Sequence, residues 1–235
     1  MCYYVSHAVK LEDLKEYYSA DPKYQEDVEE YNPYHIVSGF VHPTLSLITQ
    51  SENRAIQKMQ WGLIPNWKKP FPDMLKMSNN TLNAMSETLW EKPSFKNSIG
   101  KNRAILPVNG FYEYKHVDGD KLPYFIHPKS HPYFNLACIY SNYQNPDTKE
   151  WLTTFSIVTA EANELMADIH NSKKRMPLIL DNDQIDSWIN PSLAKPEIDN
   201  LLVGCDDRNM AAYRVDRNLI KLGNVQEAYK PLSGN

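Results

Sequence analysis

The chain has 235 residues, enough for one large domain or two small ones, with an ordinary globular composition of 42% hydrophobic and 23% charged residues. Its formal net charge of −4 excludes nucleic-acid binding driven by the field of the whole molecule, although not binding through a local basic strip. No apolar run is long enough to cross a membrane and the start lacks the basic-then-apolar pattern of a secretory signal. The three cysteines, Cys2, Cys138 and Cys205, are too widely spaced to suggest a disulfide framework or a zinc site, and a cytoplasmic protein is expected.

Met1-Cys2 opens the chain, and removal of the initiator methionine would make Cys2 a 1,2-aminothiol. Its α-amine (reference pKa roughly 7.7–8.0) and thiol (roughly 8.5) would both be partly reactive near neutral pH. Such a pair can trap an aldehyde, the amine forming an imine that the thiol closes to a thiazolidine, or the thiol can attack a carbonyl with the amine as base. Taken alone, Met-Cys at a start is most often an accident. From Leu11 to Tyr31 the charged, helix-forming pattern predicts two short helices broken at Asp21-Pro22. From His35 to about Trp61 short β-like runs follow, and the stretch from Trp61 to Trp67 is a proline-containing aromatic loop. Trp61 and Trp67 beside Lys68 and Lys69 could stack bases and hold phosphates; the structural alternative is a loop pinned by buried indoles.

The polar loop from Ser78 to Thr88 is rich in side-chain amides and hydroxyls, which are costly to bury unless paired. Arg103–Val108 and Phe111–Lys115 read as strands joined by a tight turn at Asn109-Gly110. Alternation puts Glu113 on one face with Phe111 and Lys115, where partial desolvation would raise its pKa and suit it to proton transfer; a salt bridge to a lysine is the plainer reading. Asp118-Gly119 marks another turn, and three further β-like runs, one of them carrying Cys138 as a core thiol, precede a helix with Thr159 as N-cap and His170 at its C-terminal end. There the helix dipole would favour the imidazolium. Short helices are predicted near Gln184–Ile189 and Pro196–Val203, then an irregular tail with a turn at Gly223-Asn224. Besides Lys68-Lys69, Lys101 with Arg103 and the run Lys173-Lys174-Arg175 could build a basic strip, although each cluster singly reads as a solvated surface.

Four pieces stand in one order: Cys2, the Asn-Ala-Met-Ser-Glu-Thr loop from Asn83 to Thr88, Gly-Phe-Tyr-Glu-Tyr from Gly110 to Tyr114, and Asp-Ile-His with Arg-Met-Pro between Asp168 and Pro177. This order resembles the SRAP family, the SOS-response-associated peptidase proteins that sense abasic sites in single-stranded DNA. Trp61-Gly62-Leu63-Ile64-Pro65 and Gly223-Asn224-Val225 extend the likeness over nearly the whole chain. The resemblance implies a single α+β domain with a barrel-like antiparallel β core, flanking helices, and a basic groove for single-stranded DNA leading to the mature amino terminus. It makes Cys2 the nucleophile, Asn83 the residue that orients the terminus and the sugar, Glu113 a proton-transfer group and His170 an acid/base. It further implies a thiazolidine crosslink to the opened abasic sugar, weak abasic-site lyase activity, and a peptidase activity that removes Met1. No cofactor or metal is expected, and the protein is read as a monomer.

Two departures stand out: Cys2-Tyr3-Tyr4 replaces the family's usual Cys-Gly-Arg, and Met85 stands where an arginine is usual. Lys68, Lys69, Lys101, Arg103 and Arg175 would then have to supply the phosphate attraction, since that is largely a matter of charge count. Two rival readings remain open. One is an N-terminal-nucleophile thiol peptidase or amidohydrolase; the other is a non-catalytic single-strand-binding module using Trp61 and Trp67.

Overall fold

The computed structural model describes residues 2–24, 33–50, 53–67 and 69–232. In chain order β1 (Tyr4–His7), α1 (Leu11–Tyr18) and β2 (Ala20–Pro22) precede β3 (Tyr34–Ser38), β4 (Thr44–Gln50), β5 (Arg54–Trp61), α2 (Phe71–Ser78), β6 (Asn83–Met85) and α3 (Lys96–Ile99). The long strands follow: β7 (Arg103–Val108), β8 (Gly110–Val117), β9 (Asp120–Pro128), β10 (Phe134–Gln144) and β11 (Trp151–Glu161). The chain ends with α4 (Glu164–Ile169), β12 (Arg175–Pro177), β13 (Ile179–Leu180), α5 (Ile185–Ile189), α6 (Lys195–Leu201), β14 (Met210–Arg214) and α7 (Leu219–Leu222).

Five of these strands close on themselves. β4 pairs with β5 and β7, β7 with β10, β10 with β11, and β11 returns to β5 in parallel at Thr154↔Gln60 and Phe155↔Trp61. Closure removes the exposed strand edges that an open sheet must protect. Strand alternation sorts the side chains. Ala104, Leu106, Leu136, Cys138, Phe155 and Ile157 point into one core, while Ile105, Ala137, Ile139, Val158 and Ala160 point into a second one with Leu14, Trp188 and Ile198 from the helices. Both faces are therefore buried, which is why β7 is apolar or buried at every position. A second, five-stranded antiparallel sheet, in the order β14-β9-β8-β1-β3, carries the amino terminus and Glu113.

Several local expectations are corrected. Asn109-Gly110 is not a hairpin, because β7 pairs in the barrel and β8 pairs with β1 and β9. The pair is the corner where the chain leaves one sheet for the other, and Asn109 Oδ1 accepts from Ala8 N at 2.9 Å. Asp118-Gly119 does turn between β8 and β9, both residues having positive φ. Asp21-Pro22 lies in β2, beside β5, rather than between two helices, and the second predicted helix falls outside the described residues except at its start. Thr159 lies within β11; the N-cap of α4 is Asn163, whose side chain accepts from Met166 N. The helix α2 was not read from the sequence, and β14 and α7 occupy part of the tail predicted to be irregular.

Candidate active site

The site gathers where the second sheet meets the barrel. In β1 the register Tyr4↔Tyr112 and Val5↔Phe111 runs antiparallel to β8, so continuing it past Tyr4 brings the start of the chain towards Glu113. Cys2 is fully buried in the same core as Phe111, Trp61 and Leu82. Asn83 begins β6, which lies parallel to β11 at Ile157↔Asn83, and its Nδ2 donates to the Cys2 carbonyl at 2.9 Å. Its Oδ1 is buried and has no hydrogen-bond partner among the described residues. Such an acceptor is costly to leave bare and well suited to an incoming donor. His170 caps α4, its N–H bonding Met166 O, and its Nε2 lies 3.9 Å from Glu113 Oε2. All four residues named from the sequence therefore converge.

Their electrostatics are set by burial. Desolvation pushes the Glu113 carboxyl up to about 7, as its place among aromatic side chains suggests. Lys115, on the same strand face, is not its ion-pair partner, because it donates to both oxygens of Asp168, each at 2.6 Å. Burial also drives the Cys2 thiol far above its ordinary range, with the Glu113 charge adding to the effect, so Cys2 is not the partly ionised nucleophile that reference values imply. His170 is likewise corrected. Burial lowers its pKa, and the neighbouring Lys173 and His116 act the same way; together they outweigh the Arg175 carbonyl bonded to Nδ1 at 2.7 Å. The dipole of a six-residue helix does not reverse this, and the ring is neutral at neutral pH. A nitrogen facing a carbonyl must carry the hydrogen, so Nδ1 is the donor and Nε2 is left with the lone pair on the Glu113 side.

The residues assigned to strand binding divide. Trp61 has no exposed surface; its Nε1 donates to Leu82 O at 2.8 Å and its ring stacks on Phe155, so it offers no face to a base. Arg103 is 1% exposed and is spent on main-chain carbonyls of Trp188, Ile99 and Asn190, which ties α5 and α3 to the barrel. Arg175 forks onto Glu87 at 2.6 and 3.0 Å and also bonds Thr159 O. None of these three guanidinium or indole groups faces outward as a strand contact would. Trp67 is half-buried against Ile64 and Met74, the Lys69 amine lies 5.4 Å from its ring centre, and Lys69 and Lys101 are exposed. Lys68 lies outside the described residues.

Between Asn66, next to Trp67, and Asn102, next to Lys101, lies a groove of about 360 Å³, lined also by Asn97, Asn142 and Trp151. Trp151 is 65% exposed, an available stacking surface that the sequence reading passed over as part of a strand. A large apolar residue at the very start of a strand, just after the polar stretch Asp147–Glu150, was the signal. Among the described residues no group of three or more His, Cys, Asp or Glu side chains could hold a metal ion, and no helix is long and apolar enough to cross a membrane.

Comparison with known proteins finds relatives over most of the chain. The chain is 36% identical over 208 residues to the abasic site processing protein YoqW of Bacillus subtilis, covering 88% of each chain. It is 35% identical over 159 residues to the abasic site processing protein HMCES of Gallus gallus, covering 59% of this chain and 46% of that one. A crystal structure of a protein from Bacteroides thetaiotaomicron superposes with a TM-score of 0.91 at 35% identity, over 98% of this chain and 100% of the other. The SOS response associated peptidase (SRAP) profile matches residues 1–222, and the chain belongs to that family.

Proposed function

We propose that this protein processes abasic sites in single-stranded DNA by forming a covalent thiazolidine between Cys2 and the ring-opened sugar. The observation that carries the reading is the convergence of Cys2, Asn83, Glu113 and His170, with a neutral imidazole beside a carboxyl whose pKa is about 7. Once Met1 is removed, the Cys2 amine attacks the aldehyde carbon and the C–N bond forms. The carbinolamine oxygen leaves as water, taking a proton from Glu113, which is half-protonated near neutrality. The thiol then adds to the iminium carbon, and its proton passes to His170 Nε2 or to the Glu113 carboxylate. The balance is one aldehyde plus one aminothiol giving a neutral ring and one water. Asn83 would hold the Cys2 carbonyl through Nδ2 and receive a sugar hydroxyl on its bare Oδ1.

A thiol kept protonated by burial suits this amine-first order, in which the thiol reacts last and passes its proton to a neighbouring base as it adds. The imine would also open the 3′ side to β-elimination, giving weak lyase activity, and Met1 removal by the protein's own site belongs to the same proposal. Trp151 in the groove, with Trp67, Lys69 and Lys101 on the stretches of chain next to its lining residues, would contact the strand.

Intact-protein mass spectrometry after incubation with a single-stranded oligonucleotide carrying one abasic site tests the reading. An adduct equal to protein without Met1 plus oligonucleotide minus one water is expected, absent for Cys2→Ala and for undamaged strand. Retained Met1, or binding of the undamaged strand with no adduct on the damaged one, would turn the assignment over to the strand-binding module.

A further inference from the structure

Arg175 bonds to two parts of the site at once. Its carbonyl takes the Nδ1 hydrogen of His170 at 2.7 Å, while its guanidinium forks onto both carboxylate oxygens of Glu87 and onto the carbonyl of Thr159. Glu87 sits in the 3-10 turn Ser86–Thr88 that directly follows Asn83–Met85, and Thr159 is paired with Met85 in the neighbouring strand. The carbonyl lies in β12, a three-residue strand where Arg175 pairs with Glu161, and Lys174 O just before it accepts from Ala162 N at 3.1 Å. One residue thus joins the segment carrying His170 to the segment carrying Asn83, which in turn holds Cys2. Burial would raise the Glu87 carboxyl, but the Arg175 hydrogen bonds outweigh it and leave it below the ordinary carboxylate range, as a working clamp requires.

We propose that the Glu87–Arg175 pair is a positioning brace that fixes the tautomer and reach of His170 relative to Asn83 and Cys2, rather than a phosphate contact. The assignment of a catalytic role to His170 rests on the reading in the preceding subsection, but the brace and the tautomer do not. The charged and titratable groups facing the ring among the described residues are Glu113 from β8, His116 from the same strand, and Lys173 from the turn after α4. Geometry, not net charge, is what the brace supplies, because Arg175 presents the carbonyl and the fork from one backbone position.

The test uses Glu87→Gln and Arg175→Gln in the full chain, with the reciprocal swap Glu87→Arg/Arg175→Glu as rescue. Long-range 1H–15N spectra of the imidazole report the tautomer directly: one Nδ1–H form in the unaltered protein, and a mixture of tautomers in either single variant. At saturating abasic strand, adduct formation should slow by about tenfold to a hundredfold, the cost of a small misplacement of an acid/base group. Displacement of the Arg175 carbonyl from Nδ1 should also move the acid limb of the rate profile to lower pH, since that bond raises the imidazole pKa. Affinity for undamaged strand and its salt dependence should not change, and the swap should restore part of the rate.

An unchanged tautomer with a weaker, less salt-dependent strand affinity in Arg175→Gln would make Arg175 a phosphate contact and overturn the brace. So would single variants that keep both tautomer and rate. Should Arg175→Gln fail to fold, Glu87→Gln decides, since its carboxylate is 43% exposed and its loss opens no cavity. Should the unaltered protein form no adduct, the crosslinking reading falls, and the imidazole spectra still decide the brace.

Discussion

Glu113 is a carboxyl whose environment opposes its own ionisation. Its folded-state pKa of about 7 lies above the ordinary carboxylate value, so between roughly pH 4.5 and 7 the folded protein binds more protons than the unfolded chain, and stability falls as pH rises through that window. Glu113→Gln removes the titration. The variant should match the unaltered protein near pH 4 and be more stable by up to roughly 3 kcal/mol at pH 8, while losing adduct formation. Thermal melts at the two pH values, run beside the adduct assay, check both halves; equal melting temperatures at pH 8 would mean that Glu113 is not strained by burial. Arg103 makes the contrasting case. Its guanidinium satisfies three main-chain carbonyls inside the fold, so Arg103→Met should cost about 3 kcal/mol by stranding them, with no change in the salt dependence of strand binding. A chemical denaturation curve and an anisotropy titration separate these effects.

At the scale of elements, the corner at Asn109-Gly110 is the most exacting joint. A Cβ on Gly110 would stand 2.4 Å from both Ile126 O and the Phe125 ring, where β8 lies against β9. Main chain cannot yield as a flexible side chain does, so Gly110→Ala should lower stability by about 1–3 kcal/mol or more, read as a fall in denaturation midpoint. The same corner shows what the sequence could and could not disclose. Alternation in Ala104-Ile105-Leu106 and Phe111-Tyr112-Glu113 announces strands, because each side chain must choose a face. Asn-Gly announces a change of direction. Nothing local states that the strand before it belongs to the barrel and the strand after it to the second sheet, since pairing is decided by residues far away along the chain, such as Phe134 opposite Val108 and Ile126 opposite Phe111. Thr159 was misread as an N-cap for a similar reason. A threonine before a helix fits either a cap or the end of a strand, and Asn163, nearer the helix, takes the cap. The site was legible in residue type and order at Cys2, Asn83, Glu113 and His170. Burial of the Cys2 thiol, Trp61 and Arg103 was not, because exposure follows from packing between distant segments and not from the residue's own chemistry.

For the whole molecule the question is how a chain of net charge −4 would hold a polyanion at all. Arg103 and Arg175 are committed inside the fold, and Met85 stands exposed where the family usually has arginine, so of the five cations assigned to the strand Lys69 and Lys101 are the described ones left exposed, the first beside Trp67 and the second next to Asn102 of the groove that Trp151 lines. Each phosphate neutralised on a single strand contributes about 0.7 to the slope of log affinity against log salt, so two lysines supply a slope of only about 1.4. Base stacking is nearly indifferent to salt and contributes about 1–3 kcal/mol per base, so Trp151 and Trp67 would carry the larger share. Anisotropy titrations of undamaged single strand across a salt series should therefore give a shallow slope. Lys69→Gln/Lys101→Gln should flatten it further by about 1.4, and Trp151→Ala should weaken binding about tenfold with the slope unchanged. A steep slope that survives the double lysine variant would locate the strand on another face of the molecule. In that event the groove between Asn66 and Asn102 is not where the strand binds.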